Sequence, residues 1–237
     1  MISLETLSLL SSLDFAAFAL LLALWCLIGW RIEHPAAQKP STSMIMADYR
    51  RQWMKQMAAR EVRIFDAQTI GTLRQGTSFF ASTCVIAIGG TLALIGNADQ
   101  VAGVAADLTA TSDPAIVWEL KLLVIIFFLT NGFLKFVWSN RLFGYCSVLI
   151  GATPNKADNP QTPDSKLDSI GRKAAELNIT AARTFNRGLR AIYFALAAVA
   201  WLAGPIPLVV AAIVTFIVIW RREFASHSRK ALLEADI

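Results

Sequence analysis

The sequence predicts an all-α protein: a polytopic membrane helix bundle of about five transmembrane helices, with two long helices extending into the cytoplasm. Three observations predict it. Only 16% of the residues are charged and 55% are apolar, whereas a soluble domain carries roughly 25% charged residues. The apolar excess is gathered into blocks at residues 15–30, 77–96, 117–138 and 189–220 instead of being spread along the chain. Lys and Arg, finally, crowd some connecting segments and are missing from others. One membrane domain over residues 1–237 accounts for all three.

The first span is expected at residues 13–32. The residues before its apolar block at 15–30 include Glu5 and Asp14 but no Lys or Arg, which does not match the basic start of a cleaved secretory signal. A retained span with its N-terminus outside fits that pattern. The segment from 31 to 76 then carries eight basic residues, and short loops rich in Lys and Arg stay in the cytoplasm. Within it, residues 44–76 lack proline and place Tyr49, Trp53, Met57, Ile64 and Gln68 along one stripe. That reads as a cytoplasmic helix running straight on into a second span at 77–96.

The connection from 97 to 116 has no basic residue but contains Asp99, Asp107 and Asp113, so it belongs outside. Val101, Val104, Ala105 and Leu108 are spaced for one short interfacial helix, and Ser112, Asp113 and Pro114 open the third span at 115–138. Near the start of that span, Glu119 and Lys121 sit beside Trp118 and read as anchors in the outer headgroups.

A second basic segment follows, again with eight Lys and Arg between 141 and 190. Thr162 as cap and Pro163 in the first helical position signal a helix start. Leu167, Ile170, Ala174, Leu177, Ala181 and Phe185 recur at helical spacing. The expected cytoplasmic helix, 163–188, continues into a fourth span at 189–204. The GPIP sequence at 204–207 removes helical donors and disfavours helix before each proline. It splits the last apolar block, giving a fifth span at 206–221 and returning the basic tail to the cytoplasm. A re-entrant hairpin over the same residues leaves the tail on the same side.

The two cytoplasmic helices are expected to pack on each other, Trp53, Met57 and Ile64 against Ile170, Leu177 and Phe185. Lying flat on anionic lipid is the rival arrangement. Small residues permit close helix contact. Ser78, Ser82, Gly89, Gly90 and Ala93 in the second span, and Ala191, Ala195 and Ala198 in the fourth, are read as internal packing surfaces.

Catalytic, cofactor and metal sites are not expected. Cys26, Cys84 and Cys146 form no CxxC pair or Cys–His cluster and read as apolar packing, and His34 and His227 have no accompanying ligands. The sharpest candidate lies at the inner end of the third span, where KFVWSNRLFGY brings Lys135, Trp138, Arg141 and Tyr145 within three turns. An aromatic and basic belt at the interface explains these residues. The alternative adds the carboxylates of Glu61 and Asp66, forming an ion-pair cluster or a cavity for an anionic headgroup.

The segments AREVRIFDAQTIGTLRQGTSFFAST, KFVWSNRLFGYCSVLIGATP and NRGLRAIYFALA resemble the uncharacterised bacterial and plant membrane proteins grouped as domain-of-unknown-function family five-nine-nine. The resemblance runs from about residue 47 to 224. It implies that Glu61, Arg63, Asp66, Lys135, Trp138, Arg141, Tyr145, Asn186 and Arg190 fall in recurrent stretches, and it supplies no activity. The expectation is therefore a multi-pass protein of the bacterial inner membrane, C-terminus in the cytoplasm. It acts as a non-enzymatic scaffold or accessory subunit, with a small transporter or channel and a lipid-headgroup-binding protein as alternatives. The expected partners are the lipid bilayer and either another protein or further copies of the chain, not nucleic acid.

Overall fold

Every regular element in the computed structural model, which describes residues 10–97, Gly103 and residues 114–234, is helical. In chain order these are α1 (Ser12–Glu33), α2 (Thr42–Ala59), α3 (Ile64–Ile95), α4 (Ala115–Gly151), α5 (Asp164–Val199), α6 (Pro205–Phe224) and α7 (His227–Leu233), with a 3-10 turn at Ala200–Ala203. The interfacial helix expected at Val101, Val104, Ala105 and Leu108 lies outside the described residues. Among the described residues, four stretches are long and apolar enough to cross a membrane: Ser12–Glu33, Ile64–Ile95, Ala115–Gly151 and Pro205–Leu233. The chain is a multi-pass membrane protein built as a helical bundle.

The span expected at 189–204 is not among those four. The helix containing it carries Arg183, Arg187 and Arg190, too much charge for a stretch judged on composition. α5 nevertheless runs the whole height of α1. At one end Glu33 of α1 accepts hydrogen bonds from Arg187 and Arg190 of α5, and at the other Trp201 donates its Nε1–H to Asp14 at 2.7 Å. One face of its upper half is packed into the bundle, with Ala191, Phe194, Ala195 and Ala198 all buried, while Leu196 and Val199 on the other face are exposed. The charged residues of α5 all lie at or before Arg190, and α5 is amphipathic because its lower part packs one face on α2 and α4 and leaves the other polar.

α4 and α5 form the spine. Each is about 55 Å long at a rise of roughly 1.5 Å per residue, well beyond a hydrocarbon core of about 30 Å. They cross closely where Gly188 faces the ring of Phe136, which is itself fully buried. α1 and α6 cover the upper part of the spine through Leu21, Ile28, Leu208 and Ala212, together with Phe128, Phe194 and Trp201. α2 and the first turns of α3 cover the lower part through Met54, Met57 and Ile70, against Phe143, Cys146, Ala174 and Ala181. α6 starts abruptly because Gly204 takes φ +115°, a value that suits glycine, and Pro205 follows at the first helical position.

Three local expectations are corrected. First, no single helix spans 44–76. The chain leaves the helix at Arg60 and re-enters it at Ile64, so α2 and α3 form a V with its point at residues 60–63. Arg63 braces the point, donating to the carbonyls of Met57, Ala58, Thr153 and Pro154 and to Asn155 Oδ1. Tertiary contacts thus override local helix propensity. As a result Ile64 opens a new helix and is exposed, instead of joining the seam against α5. The seam itself forms one turn earlier, where Met54 and Ala58 meet Gly171. Second, α4 does not stop at 138 but continues to Gly151. Third, Ser78, Ser82, Gly89, Gly90 and Ala93 of α3 are not internal; they are exposed, and nothing lies within 4 Å of a Cβ built on either glycine.

At the opposite end, Lys121 is not among headgroups. It is 2% exposed, with its ammonium 5.1 Å from the Trp118 ring.

Candidate functional site

The V between α2 and α3 is not filled by side chains. A cavity of about 350 Å³ lies between its arms, floored by α5 and closed above by the ends of α1 and α6. Small-ligand sites begin near about 300 Å³. Its walls are mixed. Met44, Ala47, Leu73, Phe143, Ile179 and Phe185 supply apolar surface, and Glu33, Arg50, Arg183, Asn186, Arg190 and Glu223 supply charge or hydrogen-bonding groups.

The upper polar wall is built by helix ends. α1 finishes at Glu33, and a carboxylate is poorly placed at a helix C-terminus. Arg187 Nε and Arg190 from α5 offset this, each at 2.8 Å. Ser41 caps α2 and sends its hydroxyl to the Ile32 carbonyl at 2.9 Å, locking α2 beneath α1. The next turn of α2 presents Ser43, whose N–H and hydroxyl both donate to Glu223 of α6, at 3.0 and 2.9 Å. Asn186 donates to the same Ser43 hydroxyl at 3.4 Å. Both carboxylates of the cavity are therefore already engaged.

Of the cavity's three arginines, Arg190 is bound to Glu33, but the other two have no carboxylate partner among the described residues. Arg50 points from α2 into the cavity and donates to Asn178 Oδ1, and burial pushes its pKa down. Among the described residues neither Arg50 nor Arg183 forms an ion pair. Arg50 is half-buried and Arg183 exposed; a partly desolvated guanidinium without a counter-charge is less stable, and an anion beside it offsets that cost. The cavity can thus hold a small acidic group against Arg50 and Arg183, with apolar surface beside it for an attached chain.

The residues singled out from the sequence do not come together. Asp66 is fully buried, but at the point of the V, where Trp53 Nε1 and Arg60 donate to its Oδ1 at 2.7 and 2.8 Å. Its Oδ2 has no hydrogen-bond partner. Glu61 is exposed beside it. Lys135 is half-buried on α4, Trp138 and Tyr145 are exposed, and Arg141 Nε donates to the Tyr145 hydroxyl at 2.6 Å. Neither carboxylate reaches Arg141.

The cavity residues were harder to find. Asn186 and Arg190 lie in the recurrent NRGLR stretch, which was a usable signal. Arg50 carries none, since an arginine within a basic helix looks like any other until its neighbours are known.

A family model described as "Protein of unknown function, DUF599" matches residues 16–228. No curated protein and no solved structure matches the chain.

Proposed function

The chain belongs to the DUF599 family, and from that footing we propose that it is a five-pass membrane protein that binds an acidic amphiphile in the cavity between α2 and α3. The observation that carries this reading is Arg50: a half-buried guanidinium lining an amphipathic cavity, with no carboxylate bound to it among the described residues. The headgroup would lie between Arg50 and Arg183, and the start of its chain against Phe143, Ile179 and Phe185. The fifth pass in this reading is α5 with the 3-10 turn that follows it, supported by their contacts with the two ends of α1. The Lys and Arg bias sets the cavity on the cytoplasmic side.

The reading is tested by native mass spectrometry of the intact protein, purified in mild detergent and offered phosphatidylglycerol or phosphatidylcholine. The parent should retain phosphatidylglycerol preferentially. Arg50→Gln should weaken retention by at least about tenfold, as expected for one charge-assisted hydrogen bond. Ala182→Phe, which fills the cavity and leaves its charges in place, should do the same. Equal retention of both lipids, or retention unchanged in both variants, would exclude the cavity as the site.

A scaffold role remains a second reading because Ser82, Gly89 and Gly90 leave an open strip along α3. The same spectra test it: a dimer that survives in detergent favours it, and a monomer counts against it.

A further inference from the structure

On its other side α3 borders a second, more open groove of about 610 Å³, shared with α4 and lying outside the cavity. Arg74 and Arg141 stand at its head. Arg74 is ten residues into α3 and Arg141 ten residues from the end of α4, so the antiparallel pair sets them at one level. From Arg74 to the end of α3 is about 32 Å at helical rise, close to one hydrocarbon thickness. The two guanidiniums therefore stand where a membrane presents its phosphates, while the apolar Ala81 and Val137 continue the groove toward the bilayer centre.

Several contacts hold this arrangement in place. Asn140 Nδ2 donates to the Arg74 carbonyl at 3.0 Å, to Thr77 Oγ1 at 2.9 Å and to Ser78 Oγ at 2.8 Å, fixing α3 against α4 at that level. The Tyr145 hydroxyl takes the Arg141 Nε–H at 2.6 Å, which leaves its terminal nitrogens without a hydrogen bond among the described residues. The Arg74 guanidinium carbon lies over Gly144, 3.8 Å from where a Cβ would be, so a larger side chain there would displace it. Among the described residues neither arginine forms an ion pair. Two fixed cations without counter-charges, at phosphate level and above an apolar groove, are complementary to an anionic phospholipid.

We propose that the α3–α4 groove is a specific binding site for an anionic phospholipid, its phosphate held between Arg74 and Arg141 and its acyl chain lying along Ala81 and Val137. The site does not depend on the cavity between α2 and α3, which lies across α3 and is lined by other residues.

The full chain in nanodiscs would be labelled with a phosphatidylglycerol carrying a photoactivatable acyl chain, and adducts mapped to Ala81 and Val137. The parent should label there, and a phosphatidylcholine probe should label weakly. Arg74→Gln and Arg141→Gln should each reduce the adduct about fivefold, and Lys156→Gln, in the α4–α5 loop, should not change it. Gly144→Leu blocks the groove on an otherwise regular helix and should lose the adduct with parental helicity, so misfolding of the arginine variants would not leave the question open. Unchanged labelling in the Arg74→Gln/Arg141→Gln double variant would overturn the proposal. So would equal labelling by phosphatidylcholine, or full competition by millimolar inorganic phosphate, which would mark a free-anion site.

Discussion

The carboxylate of Asp66 has no exposure to solvent and is held by Trp53 on the other arm of the V and by Arg60 at its point. Removing either donor leaves a buried charge less satisfied, and residues in one network couple, whereas distant residues add. A double-mutant cycle between Asp66→Asn and Arg60→Gln, read from melting in detergent, should give a coupling of at least about 0.5 kcal/mol. The cycle with Arg141→Gln should be additive within about 0.5 kcal/mol. Coupling in the second cycle and none in the first would contradict the placement of Asp66. The sequence marked Asp66 as important but offered Arg141 as its partner. What it lacked was the turn at residues 60–63, which folds Arg60 back over the start of α3. Arg63 makes the same point: a side chain that reads as one more surface cation donates to five oxygens from two other segments of the chain.

At the scale of elements, the closest approach is that of α4 and α5. A Cβ on Gly188 would lie 2.8 Å from the Phe136 ring. Gly71 of α3, by contrast, has nothing within 4 Å of such a position. Adding a methyl to a packed contact costs about 1–3 kcal/mol, whereas glycine to alanine at an open helical site gains up to about 1 kcal/mol. Gly188→Ala should therefore lower the melting temperature in detergent, Phe136→Leu should recover part of the loss, and Gly71→Ala should be neutral or stabilising. Equal effects at both glycines would mean that α4 and α5 are further apart than described. Helical periodicity had already placed Leu167, Ala174 and Ala181 on the buried face of α5, and they are buried. It misplaced the strip on α3, because small residues are equally suited to an inner contact and to an outer surface. Only the neighbours of α3 distinguish the two. α4 covers one side of it, and the other side is left open.

For the whole molecule, the remaining question is how many times the chain crosses. Four stretches qualify by composition, while the bundle has five helices that share its height. The two counts predict different sides for the tail. With α5 crossing, a periplasmic reporter fused after Gln100 should be active and one fused after Pro160 or at Ile237 silent. Activity at Ile237 would overturn the five-pass reading. Hydropathy and the bias of Lys and Arg were sufficient to identify a polytopic membrane protein and to locate its helical blocks. This is because the cost of exposing backbone and charge to lipid acts on each segment by itself. The break that makes the V, the packing that lets an arginine-bearing helix rise through the centre, and the cavity around Arg50 were decided by tertiary structure. Each depends on which distant residue supplies a hydrogen bond or withholds a counter-charge, and local sequence carries no record of that.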